Sequence, residues 1–203
     1  MMKIVNSNAV REIDEIMQLF NDFLEKIINA FIKHRLSLEY ELMCGDFTRR
    51  SRQILSRFYA TTKQTHPPES LYIQGATLNF SKIFFDILRL STLVETKVKE
   101  KILFSDEAVN EMKEIFQRTR ALLPHLHDAL LTGNAIIIEH IKKEAAALQA
   151  KTLDHTVLHE ERLCKGICHP RAAVIYMQML QQLQDILWHF GALVDKENGI
   201  PQA

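Results

Sequence analysis

Glycine and proline are scarce in this 203-residue chain, with 6 and 5 copies. Pro67, Pro68, Gly133, Gly166, Pro170, Gly199 and Pro201 account for most of the breaks. That leaves long uninterrupted segments, which suits helices and disfavours a turn-rich sheet protein. Charge of one sign is also missing: 25 Lys and Arg balance 25 Asp and Glu, and the pI is near 7.1. No summed field recruits nucleic acid or an anionic membrane, so a polyanion partner is not expected. No apolar run approaches the ~20 residues needed to cross a bilayer, and MMKIVNSNAVREIDEIM lacks the basic-then-apolar layout of a signal peptide. The three cysteines, Cys44, Cys164 and Cys168, are an odd set without framework spacing, which points to a reducing compartment, the cytoplasm. There is no glycine-rich phosphate cradle and no G-x-S-x-G, so catalysis has no candidate.

What the chain does contain is helical periodicity. Val10, Ile13, Ile16, Met17, Phe20, Phe23, Leu24, Ile27, Ile28 and Phe31 recur at three- and four-residue steps, which predicts one core-facing helix from Val10 to about His34. A second runs from about Leu36 to Tyr59, followed by a loop, TTKQTHPPES, whose paired prolines cannot continue it. The third spans about Ser70 to Lys99. Ser105 caps a fourth that ends at Gly133, with Asp106 and Glu107 at its positive end. The fifth covers about Asn134 to Lys165, Gly166 breaks it, and Pro170 opens the sixth, where no backbone donor is needed.

Six helices in two groups of three predict an internal repeat, and one is found at a spacing of 99 or 100 residues. Val10, Glu12, Ile13, Glu15, Ile16 and Met17 line up with Val109, Glu111, Met112, Glu114, Ile115 and Phe116, and LVETK ending at Lys97 lines up with LVDK ending at Lys196. Length alone permits burial of roughly 70% of the unfolded surface. The expectation is an all-α protein of two tandem three-helix bundles, residues 1–103 and 104–203, forming one unit.

The densest cluster of reactive side chains is His159 to Pro170, HEERLCKGICHP. Covalent haem attachment requires C-x-x-C-H, and Cys164 to His169 carries one residue too many between the thiols. Zinc on Cys164, Cys168, His169 and His159 is chemically feasible, but a helix-turn-helix corner at Gly166 accounts for the stretch without it. His155 and His159 share a helix face, yet TVL between them supplies no H-E-x-x-H glutamate. His125 and His127 point to different faces and are expected at the surface or partly buried. Arg49, Arg50, Arg52 and Arg57 form the densest basic patch, able to meet a phosphate or an acidic loop, with a solvated helix face as the simpler reading.

FSDEAVNEM at the start of the fourth helix, HEERLCKGICHP between the fifth and sixth, and the LQDILWHF ending of the sixth together resemble the PhoU-like domains, in particular those that follow the membrane part of bacterial sodium/phosphate cotransporters. The resemblance extends over most of residues 10–195 and is specific from about Phe104 onward. It implies two three-helix bundles side by side and a regulatory, non-enzymatic role at the inner face of the cytoplasmic membrane. The implied partner is a phosphate transporter membrane domain, in the same native chain or a separate one; a homodimer is a further option. Many members of the family hold metal clusters through E-x-x-x-D on the third helix of each bundle, since carboxylates four apart share a face. Here Gln184 and Trp188 stand at the matching points of the sixth helix, and Phe84 and Leu88 at those of the third. The resemblance therefore implies that this motif is lost and no cofactor is expected, with His155, His159, Asp185 and His189 the residual metal candidates. Two other readings stay open: a metal-binding helical protein with ligands unlike the family's, and a structural helical adaptor without a phosphate role.

Overall fold

The structure, a computed structural model, describes Ile4 and residues 6–195. Gly199, Pro201 and the repeat position Lys196 lie outside the described residues. Those described form six α-helices and no strand: α1 (Ser7–Lys33), α2 (Leu38–Ala60), α3 (Glu69–Lys99), α4 (Asp106–Thr132), α5 (Ala135–Cys164) and α6 (Pro170–Val194), with one 3-10 turn at Thr61–Gln64. The chain is all-α.

Local chemistry sets the ends. The Ser105 hydroxyl accepts from the Ala108 amide at 3.3 Å, Gly133 and Gly166 adopt φ of 67° and 68°, and Pro170 occupies the first turn of α6. α1 begins three residues earlier than apolar periodicity indicates, because Asn6 caps it: its Oδ1 accepts from the Asn8 and Ala9 amides at 3.0 Å each. Likewise the TTKQ part of the expected loop winds into the 3-10 turn, where the Thr61 and Thr62 hydroxyls donate to Phe58 and Tyr59 carbonyls at 2.6 and 2.7 Å.

α1, α2 and α3 pack on one another, as do α4, α5 and α6, and the two groups join through α1 against α4 and α3 against α6. Both joints are antiparallel. Along the first, Glu25 and Asn21 meet Arg120, and Asp14 meets His127. Along the second, the Tyr72 hydroxyl donates to the Leu193 carbonyl at 3.0 Å, while Asn79 meets His189. Asn21 and Arg120 are equivalent positions of the repeat, 99 residues apart, and the Arg120 Nε donates to Asn21 Oδ1 at 3.0 Å. Contact between equivalent positions is what an approximate two-fold axis between the halves produces.

One continuous core runs through all six helices. In the first half it is aromatic: Phe23 and Phe47 lie 4.3 Å apart between ring centroids, and Phe47 reaches Phe84 at 5.5 Å. Phe31 of α1 then bridges to Phe116 and Phe104 at 5.4 and 5.9 Å, carrying the core into the second half.

Candidate functional site

HEERLCKGICHP forms the corner between α5 and α6, and polar groups are buried beneath it. α5 turns one face to the core through Ile141, Ala145, Leu148, Thr152, His155 and His159, so the two histidines fall on the buried side. From α4 comes Glu111. Its Oε2 accepts from Arg162 Nη2 at 2.7 Å and from the Tyr176 hydroxyl of α6 at 2.6 Å, and its Oε1 accepts from Arg162 Nη1 at 3.2 Å. Three helices thus meet on one carboxylate. The His159 ring stacks on Tyr176 at 4.2 Å, and its Nε2 lies 3.8 Å from Cys168 Sγ beyond the turn. His155 Nδ1 stands 3.8 Å from Glu111 Oε1, too far for a hydrogen bond.

Burial pushes the Glu111 carboxyl up, but the Arg162 guanidinium and the Tyr176 hydroxyl outweigh it and hold its pKa below the usual range. The same carboxylate adds to burial in raising the Tyr176 phenol. His159 is pushed down by burial and by Arg162. Both nitrogens of His155, Nδ1 of His159 and Nε of Arg162 are buried without a partner. The chemistry of this corner is a neutralised carboxylate clamp: it fastens the α5–α6 turn to α4.

The first half carries a counterpart. Glu12, equivalent to Glu111 in the repeat, is 1% exposed, and its Oε2 accepts from Arg57 Nε of α2 at 2.8 Å. Arg57 Nη2 also reaches Glu15 Oε2 at 2.6 Å. Arg57 is therefore directed at α1 and separated from the rest of the basic patch. Arg49 and Arg50 both engage Asp46, and Arg52 is exposed.

The other two residual candidates lie elsewhere, at the α3–α6 joint. His189 is 7% exposed; its Nδ1 donates to Asn79 Oδ1 at 2.9 Å, a direction set by Asn79 Nδ2 donating to the Gly75 carbonyl. The His189 Nε2 lone pair then faces Asp86 Oδ2 at 4.0 Å, and that oxygen is buried with no hydrogen-bond partner. Burial, and secondarily Asp185, pushes the Asp86 carboxyl up to about 6; burial and then Lys82 push His189 down to about 4. Asp185 accepts from Gln181 Nε2 at 2.8 Å.

The positions expected to carry the metal motif differ in burial. Phe84 is 2% exposed in the aromatic core and Trp188 is 56% exposed, with Gln184 and Leu88 half-buried. Polar groups occur one or two residues further along, at Asp185, His189 and Asp86, a register that spacing from the repeat alone did not indicate. Among the described residues, no three His, Cys, Asp or Glu side chains are grouped as a metal-ligand set. No helix among them is long and apolar enough to cross a membrane.

Sequence reasoning singled out His155, and His159, Cys164, Cys168 and His169 within HEERLCKGICHP, and missed Arg162, Tyr176, Asp86, Asn79 and the role of Glu111. Glu12 and Glu111 had a usable signal: each is a carboxylate on the apolar face of an amphipathic helix, repeated at the same place in both halves. No family model, curated protein or solved structure matches the chain.

Proposed function

We propose that the chain is a non-enzymatic, PhoU-like regulatory domain of a phosphate uptake system, acting by contact with the membrane part of a sodium/phosphate cotransporter. The observation that carries this reading is the meeting of the two stretches on which the resemblance rests. Glu111 of FSDEAVNEM and Arg162 of HEERLCKGICHP lie 2.7 Å apart, although 51 positions separate them in the chain. Glu111 and Arg162 are spent on one another, as expected of residues that maintain a fold and not of residues awaiting a substrate. The antiparallel pairing of two three-helix groups is a second support, since it accords with side-by-side bundles. Contact with the transporter then falls to outer helix faces.

The test is deletion of the coding sequence in its native host, followed by phosphate uptake and the phosphate-starvation response, with complementation by the intact chain. Altered uptake restored by complementation is the expected result. Unchanged uptake and an unchanged starvation response would transfer the assignment to a structural adaptor. Metal analysis of protein purified without chelators separates the remaining alternative: near-stoichiometric iron or zinc would indicate a metal-binding protein.

A further inference from the structure

Among the described residues no element covers the outer face of α5, and its pattern is that of a helix made to pair. α5 packs on α4 and α6 through Ile141, Ala145, Leu148, Thr152, His155 and His159. Opposite that face, Lys143, Ala146, Ala150, Leu153, Val157 and Glu160 follow alternating three- and four-residue steps, and all six are exposed. This is the a/d spacing of a coiled-coil seam on the side away from the core. Leu153 and Val157 are 55% and 56% exposed, large apolar side chains set between the two alanines on one side and Glu160 on the other, with Lys143 at the far end of the seam.

We propose that this seam pairs with the same seam of a second copy of the chain, the two α5 helices running antiparallel about a two-fold axis between Lys151 and Thr152. The charges select that partner and that direction. In the antiparallel register, Lys143 lies opposite the second copy's Glu160, and the two-fold repeats the contact. Ala146 then faces Val157 and Ala150 faces Leu153, so each large side chain meets a small one and the helices can approach closely. A parallel pair would set Lys143 against Lys143 and Glu160 against Glu160. Neither Lys143 nor Glu160 has an ion pair within its own chain among the described residues, so both are available. A single helix pair is a small interface, roughly at or below 1,200 Å², so the dimer is expected to be reversible and concentration-dependent. This pairing is independent of the phosphate-uptake reading.

Sedimentation equilibrium of the full chain over a wide concentration range tests it. The wild-type chain is expected to self-associate to a dimer. Leu153→Glu should leave the circular-dichroism melt unchanged at concentrations where the wild type is monomeric, because the side chain is exposed in the single chain, and should give a monomer throughout the range. Lys143→Glu and Glu160→Lys should each weaken dimerisation roughly tenfold, since each places two like-charge contacts in one interface. The double variant Lys143→Glu/Glu160→Lys should recover wild-type association. A wild-type chain that is monomeric throughout, a dimer indifferent to Leu153→Glu, or a double variant no better than the single ones would overturn the proposal.

Discussion

At Lys97 an ammonium group sits in an apolar junction where α1, α3 and the segment before α4 meet. The residue is 3% exposed, its Nζ lies 2.8 Å from His34 Nδ1, and the Phe31 and Phe104 ring centroids are 5.0 and 5.1 Å away. Among the described residues it has no carboxylate partner, and burial pushes its pKa down to about 8 from the ordinary 10.5. The ring faces and the imidazole lone pair offset part of the desolvation cost. A base whose folded pKa is depressed binds its proton more weakly than in the unfolded chain. Stability therefore rises as pH increases from about 8 to 10.5. Lys97→Met retains most of the stem and removes the charge. It should stabilise the protein at pH 7 by on the order of 1 kcal/mol and abolish the rise at alkaline pH. Urea unfolding at pH 7 and at a series of alkaline pH values reads both effects. A less stable Met variant at pH 7 would mean that the His34 bond and the aromatic contacts outweigh the cost of burial.

The helices themselves were readable from local chemistry: Ser105, Gly133, Gly166 and Pro170 each act where their side chains or backbone freedom require. How helices pair was less accessible, because it depends on contacts between positions far apart in the chain. The α3–α6 joint is the clearest case. Of the positions taken from repeat spacing, Trp188 is exposed and Phe84 lies in the aromatic core, whereas Asp86 and His189 face each other across the joint. Their titrations oppose one another. Asp86, raised from 3.8 to about 6, binds its proton more tightly when folded, so its contribution falls as pH rises through that window. His189, lowered from 6.5 to about 4, binds its proton more tightly when unfolded, so its contribution rises with pH between those values. Over pH 4 to 6 the two slopes cancel in the intact joint. Removing one should expose the other: Asp86→Asn should become more stable with increasing pH over this range, and His189→Gln less stable. Lys82, Asp185 and Arg89 also face this joint, and raising the salt concentration would screen their exposed share first. Thermal melts in half-unit pH steps distinguish the cases, and slopes of the same sign in both variants would refute the opposition.

At the scale of the whole molecule, the repeat reads clearly in the sequence through α1 and α4, but the way its copies combine does not. Glu12 with Arg57 and Glu111 with Arg162 show the same device used once in each half, fastening the second helix of the group to the first. Between the halves the seams are a mixture of apolar burial and single polar contacts. Phe31 packs on Phe116, Tyr72 reaches Leu193, and Arg120 spans Asn21 and Glu25. Three helices about 25 to 30 residues long can close a core in principle. Here, however, α1 and α3 also bury side chains against α4 and α6, and a separated half would expose that second face to water. Fragments 1–103 and 104–203 expressed alone should therefore be loosely packed or self-associated, with little near-ultraviolet circular dichroism. Mixed at equal concentration, they should recover the spectrum and a single cooperative melt, because the connection near residue 103 contributes chain entropy and few contacts. Asp86→Asn/Asn79→Ala in fragment 1–103 should weaken that recovery without altering the isolated fragment. Two halves that fold cooperatively apart and remain apart on mixing would show instead that each group of three helices is a domain, with the α1–α4 and α3–α6 joints only a surface between them.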